Sequence, residues 1–521
     1  MPYVYIYTIM WQYLLTTLAV LLLIPILSIV FKIVSNKRSL KFYENQGLKT
    51  FFFALKGPFG FYSEDIPENK KVSNLEYVHK IMHGDPQAPG MAVNNFHDGR
   101  ASVVLYNPEY IKEFLLKEDK FCKVAMEGST AGLVGLILKD GQEAIHQRGI
   151  VNEVFHFQAL ANFVPDICSI THEIFKGYCS KLGVNADGYT RINLNDMFDP
   201  VFEQMLNVLV FGTREVGLLS NGLIPYRSIV NWFLQVPVMR KHPLYNLMPW
   251  ICQKVNILES TRLIWKSNEY MLEYVARLYE ERSKKDELGK SVLDNCIRHN
   301  KRCEKEGSIK DMLSMQDIVG NINIFVFAGT DTSQNASKMS ICHLASHPDH
   351  IQLLQDISDR IYTQDSMTTT SAKLNDEPTL NLWMKETLRV NAPSGRSLPR
   401  RANEDVLIKD LTIKKGDQVF VFTHALRMAK HHFDDPEVFK LDRFSKPMNK
   451  DIERYAYNPF WQGKRACIGK NLGEVMILIL VTQFCKMFCF KKPEDVQYYK
   501  KIIFMVTENN PWVDVRLRLP K

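Results

Sequence analysis

The stretch Phe460-Trp461-Gln462-Gly463-Lys464-Arg465-Ala466-Cys467-Ile468-Gly469 decides how this chain is read. It stands directly before an apolar, helix-forming run from Lys470 to Phe484, so Cys467 sits where a helix begins. A sulfur in that place faces oriented N–H groups and the positive end of the helix. Both favour its charged form and tune its electron donation to a metal. Gly463 and Gly469 bracket the sulfur and let backbone approach a flat ligand closely. A lone cysteine in a tight turn is more often a structural thiol. The joint occurrence of Phe460, Gly463, Arg465, Cys467 and Gly469 makes a metal ligand the better reading.

Upstream, Ala328-Gly329-Thr330-Asp331-Thr332-Ser333 lies in a long helix that starts near Ser314, which forms a capping-box-like pair with Asp317. Ile318, Ile322, Phe325 and Gly329 follow at helical spacing, and the small residues at 328 and 329 leave room beside that face. Asp331 and Thr332 offer a carboxylate and a hydroxyl suited to relaying protons, although helical threonines also commonly bond back to the preceding turn. Between this segment and the cysteine loop, Glu386 and Arg389 lie three apart in WMKETLRVNAP, on one face of a helix that ends before Pro393. Alone, such a pair is usually a solvated ion pair worth less than about 1 kcal/mol. Asp442-Arg443-Phe444 follows it. Two further arginines stand out: Arg148, seven residues before Phe155, and Arg400, five before Asp405. Each also reads as an ordinary surface charge.

These segments, in this order, resemble the cytochrome P450 family over about residues 140 to 490. The haem-loop pattern F-x-x-G-x-R-x-C-x-G is met at Phe460, Gly463, Arg465, Cys467 and Gly469. The resemblance implies that Cys467 is the axial ligand of haem b iron (iron protoporphyrin IX), with Phe460 in the cofactor loop. Arg465, Arg148 and Arg400 are then candidate partners of the haem propionates. It implies that Asp331 and Thr332 steer protons to dioxygen, and that Glu386, Arg389 and Arg443 form a buried network fixing the haem-binding coil. Two positions depart from the family pattern: Leu441 replaces a preferred proline, and Ala144 stands four residues before Arg148, where the family commonly has tryptophan. The implied reaction is insertion of one oxygen atom of O2 into a lipophilic substrate. Nothing in the chain resembles a flavin or dinucleotide fingerprint. Electrons from NADPH would therefore arrive through NADPH–cytochrome P450 reductase, with cytochrome b5 as a second candidate donor; Lys464 and Lys470 flank the loop where an acidic partner would meet it. Hydroperoxide rearrangement on the same scaffold, or a haem sensor without turnover, are the rival readings. The Asp331-Thr332 pair weighs against both.

Composition is that of a folded protein: 521 residues, 46% hydrophobic and 23% charged. The net charge of +8 is spread along the chain without a basic run, which gives a nucleic-acid role no support. The ten cysteines include no CxxC pair, and Cys485 and Cys489, four apart, are expected on one packed helical face. From Ile9 to Phe31 there is no charge, long enough for a helix across a bilayer. The basic patch and cleavage site of a signal peptide are missing. Lys32, Lys37, Arg38 and Lys41 follow it and place the rest of the chain on the cytoplasmic side, with Trp11 and Tyr13 at the opposite interface. The expected architecture is mainly α with a minor β part: residues 1–38 form a single transmembrane anchor and its basic flank in the endoplasmic reticulum membrane, and residues 39–521 form the catalytic domain. Contact with membrane lipid, and the apolar stretch VNWFLQVPV near Trp232, favour a substrate arriving from the bilayer. A hairpin is expected around Lys415-Gly416, and an irregular coil from Phe433 to Gly469.

Overall fold

The computed structural model describes residues 23, 27–51, 88–95, 99–124, 135–137, 139–230, 235, 258–363, 366–498, 500–502, 506–508 and 510–519. Its main helices are α1 (27–44), α2 (Pro108–Leu116), α3 (Gly141–Phe155), α4 (Val164–Leu182), α5 (Leu194–Phe211), α6 (Glu259–Ser283), α7 (Val292–Glu306), α8 (Met315–Ala345), α9 (Pro348–Ile361), α10 (Pro378–Asn391) and α11 (Lys470–Met487). Most of the Ile9–Phe31 stretch and of VNWFLQVPV lies outside the described residues. Among the described residues, no helix is long and apolar enough to cross a membrane.

The spine is α8, 31 residues long. Ser314 caps it as expected: its hydroxyl accepts the Asp317 N–H at 3.1 Å and donates to the Asp317 carboxylate at 2.6 Å. Ile318, Val319 and Ile322 are buried in a core shared with α4, α5 and α11. Glycines end α4, α5 and α7 in left-handed conformation, at Gly183, Gly212 and Gly307.

A six-stranded sheet in the order β1-β2-β3-β9-β6-β4 carries a second core. Its strands are β1 (Lys49–Phe51), β2 (Gly90–Asn95), β3 (Arg100–Leu105), β4 (Phe121–Lys123), β6 (Arg400–Ala402) and β9 (Gln418–Val421). A smaller sheet joins β5 (Thr190–Asn193), β10 (Phe488–Lys491) and β13 (Trp512–Leu517). Two sequence expectations are corrected here. The hairpin of β7 (Val406–Ile408) and β8 (Leu411–Ile413) turns at Lys409-Asp410, where Lys409 takes a φ of 53°. Lys415-Gly416 instead leads into β9, which pairs in parallel with β3. Gly416 takes a φ of 87°, left-handed backbone that favours glycine there. Cys485 and Cys489 do not share a helix face either. The helix ends at Met487 and Cys489 lies in β10, because Phe488 and Phe490 alternate into the core as a strand paired with β13.

Candidate active site

The cysteine loop closes on itself through the Cys467 N–H, which donates to the Phe460 carbonyl at 2.8 Å. Gly463 has a φ of 75°, and a Cβ there would sit 3.1 Å from a Glu118 carboxylate oxygen, so this position needs glycine. Gly469 is the N-cap of α11 at an ordinary φ of −86°, and its N–H is directed to the Cys467 sulfur. Cys467 is open to small molecules although protein surrounds it closely. Burial pushes its thiol pKa up; the Gly469 N–H and the Arg148 charge pull it back. Ligation to a metal is what would complete the deprotonation.

Gly473 of α11 faces Ser333 of α8, and a Cβ there would lie 3.4 Å from the Ser333 hydroxyl. This crossing brings the first turn of α11 beside the Asp331-Thr332 turn. Ala328 is exposed in the middle of the helix, flanked by half-buried Phe327, Gly329, Asp331 and Thr332, so this turn of α8 presents an open face. Gly329 serves a different purpose from the one its size suggests: a Cβ would meet Leu206 of α5 at 2.8 Å, so its smallness admits a helix neighbour rather than a ligand. The Thr332 hydroxyl donates to the Ala328 carbonyl at 2.7 Å, which leaves its lone pairs available as acceptors. Burial raises the Asp331 carboxyl above the usual range; Lys338 pulls it down and Asp199 of α5 pushes it further up. Glu203, one turn along α5 and also raised by burial, interacts with Asp199. Neither α5 acid carried any signal in the sequence.

On the other side of the loop, four cations converge. Arg148 donates to the Ala466 carbonyl at 2.8 Å. Arg465 donates to Asp140 at 2.5 Å and to the Lys139 carbonyl at 3.3 Å. Arg400 is buried, and the β4–β6 register places Lys123 directly opposite it. Burial pulls Arg148 and Arg400 down and brings Lys123 to about 7, with the other cations adding to the effect. Among the described residues, the carboxylates acting on these cations include Asp140 and Glu118. Arg148, Arg400 and Arg465 outnumber these two beside the cysteine, in partly desolvated surroundings where an anionic ligand would be favoured. Lys123, Asp140 and Glu118 were not legible as site residues, because only a long-range strand pairing brings them here.

Glu386, Arg389 and Arg443 are brought into one buried network. Arg389 grips Glu386 through two bonds of 2.8 Å and reaches the Arg427, Pro436 and Val438 carbonyls. Arg443 and the Lys440 N–H complete the carboxylate at 3.1 and 2.9 Å.

The family model described as "Cytochrome P450" matches residues 71–511. The chain belongs to the cytochrome P450 family. It is thus a P450 monooxygenase, an oxidoreductase that works with haem b. It is 27% identical to cytochrome P450 3A12 of Canis lupus familiaris over 417 residues, 78% of this chain and 80% of that one. Cytochrome P450 3A9 of Rattus norvegicus is 26% identical over 416 residues, with the same shares covered. The crystal structure of the cytochrome P450DA heme domain superposes with a TM-score of 0.72 at 18% identity, covering 91% of this chain and 98% of that one, and shows the shared P450 fold. The residues present fit the cofactor: an accessible thiol receiving an N–H, and three arginines beside it that suit the haem propionates.

Proposed function

We propose that Cys467 is the axial ligand of the haem iron, that Arg148, Arg400 and Arg465 hold the propionates with Phe460 in the cofactor loop, and that Asp331 and Thr332 deliver protons. Bound haem would supply oxygen activation, the thiolate's electron donation favouring O–O cleavage. The residues supply the rest. The Gly469 N–H and Arg148 stabilise negative charge on sulfur. A carboxyl whose proton affinity burial raises is suited to passing a proton on, and the Asp199 and Glu203 carboxyls beside it offer a route for replenishing it. Thr332, beside the open Ala328 face, holds the last hydroxyl. Glu386, Arg389 and Arg443 fix the coil that carries the loop, a structural role.

On this reading the enzyme oxidises a lipophilic molecule with electrons from NADPH, passed by NADPH–cytochrome P450 reductase and, as a second donor, cytochrome b5. Lys464 and Lys470 are exposed beside the loop, as docking of an acidic partner requires. Residues 1–38 form the single-pass anchor in the endoplasmic reticulum membrane and 39–521 the cytoplasmic catalytic domain, as the uncharged Ile9–Phe31 stretch and its following lysines and arginine suggest. The observation carrying the proposal is an accessible thiol with the Gly469 N–H directed to it, at the start of the helix whose first turn crosses α8 at Ser333, next to Thr332. Cys467→Ser tests it: the reduced, carbon monoxide-bound protein should lose its thiolate-type spectrum. A surviving thiolate spectrum rejects the ligand assignment.

A further inference from the structure

Where α8 turns into α9, His343 occupies the last turn of α8, His347 is the N-cap of α9 and His350 lies in its first turn. One ring nitrogen from each lies within 4.8 Å of the other two. We propose that these three imidazoles form a second metal site, distinct from the haem, that takes a zinc-type divalent cation with a water in the fourth position and clamps the α8–α9 corner against Phe439.

The geometry is near that of a metal site. His343 Nε2 and His350 Nδ1 are 3.3 Å apart, and two nitrogens each about 2.0–2.1 Å from a tetrahedral zinc are separated by roughly that distance. His347 Nδ1 lies 2.7 Å from the His343 carbonyl. A carbonyl only accepts, so Nδ1 carries the proton and Nε2 keeps the lone pair, the outer hydrogen bond that orients a ligating histidine. The rings pack together: His343 stacks on His347 at 4.1 Å, and both His343 and His350 lie against the Phe439 ring at 4.4 and 5.1 Å, so small ring rotations would turn their nitrogens towards one ion. His347 is exposed, leaving a path for the ion and its water.

The position gives the site a consequence. Phe439 precedes Lys440, whose N–H donates to Glu386 at 2.9 Å. An ion fixing the histidines under Phe439 would therefore steady the segment that completes the Glu386–Arg389–Arg443 network.

The test uses the full-length, haem-loaded protein purified without a polyhistidine tag. After equilibration with Zn2+ and dialysis, zinc per chain is counted by mass spectrometry and haem separately by absorbance. Wild type should hold one zinc more than the His347→Ala/His350→Gln double variant at equal haem content. Each single variant should bind that zinc at least about 100-fold more weakly, beyond the 10–100-fold of losing an outer-sphere partner. Zinc should also raise the temperature of haem release in wild type alone. Equal zinc content in wild type and double variant would overturn the proposal, since the metal would then reside on other groups. His343 is kept intact in both variants because it stacks on Phe439.

Discussion

Glu386 is wholly buried and, among the described residues, is the only carboxylate in contact with Arg389 and Arg443, both of which also reach carbonyls of the 427–438 segment. In Glu386→Gln one oxygen becomes an N–H donor facing guanidinium donors, so two buried cations keep their cost and lose their counter-charge. Breaking a buried pair by removing one partner costs about 3–5 kcal/mol. Against a total stability of roughly 5–15 kcal/mol this is severe. The loss should fall first on the coil: the Arg389 bonds to Pro436 and Val438 at 2.5 and 3.2 Å and the Arg443 bonds to Asp434 and Val438 at 2.7 and 2.9 Å hold the run that leads to the cysteine loop. Cofactor binding makes a single two-state unfolding value a poor measure. The assay is therefore haem retained per folded protein through a urea series, together with limited proteolysis between residues 428 and 445. Glu386→Gln should release haem at markedly lower urea and be cut in that segment. Arg443→Met, which spares the bidentate Glu386–Arg389 pair, should cost less, about 1.5–3 kcal/mol. Full haem retention with an unchanged midpoint in Glu386→Gln would refute the reasoning.

Three further outcomes are expected. Arg148→Ala should weaken haem binding about 10- to 100-fold, one charge-assisted hydrogen bond, without abolishing it, because Lys123, Arg400 and Arg465 remain; competition with an apoglobin for haem measures this, and unchanged affinity removes Arg148 from the site. Thr332→Ala should keep its haem but divert electrons to hydrogen peroxide, so a wild-type ratio of product to NADPH consumed contradicts the relay role. Asp417, buried beneath the Tyr43 hydroxyl at 2.7 Å, has its pKa raised by burial from 3.8 to about 6. The native state thus binds this proton more tightly than the unfolded chain. The associated stability is complete below about 4 and is lost as pH rises towards 6, on the order of 3 kcal/mol. Asp417→Asn keeps an acceptor for Tyr43, so its urea midpoint should rise relative to wild type between pH 4.5 and 7; a difference independent of pH would show that the carboxyl does not titrate in this range.

What was legible in the sequence was local. The cysteine loop, the Ser314 cap, the helix carrying Glu386 and Arg389 and its end before Pro393 all depend on residues within a few positions of one another, and the structure has them where the pattern puts them. The misplaced hairpin shows the limit of that rule. Gly416 drew attention as a turn residue and its φ of 87° does favour glycine, yet its turn leads into β9, paired with the distant β3, while Lys409 accepts a positive φ without being glycine. Gly329 is similar: its meaning lies in Leu206, more than a hundred residues away.

The cationic side of the site was the least legible part and explains the most. Arg148 sits on a helix, Arg400 and Lys123 on paired strands, and Arg465 in the loop, so no one segment reveals that they meet. Once together they are costly in isolation: burial, with the neighbouring cations adding to it, pulls Lys123 to about 7 and lowers both Arg148 and Arg400. The Asp140 charge relieves part of this by accepting Arg465 at 2.5 Å, and its other oxygen accepts the Lys123 backbone N–H at 2.7 Å. The remaining surplus is a folding cost that a dianionic cofactor would convert into binding energy. The absence of an indole at the buried Ala144 then removes a neutral donor and no charge. On the proposed reading, the electrostatic match to the propionates rests on Arg148, Arg400 and Arg465 and does not depend on that indole.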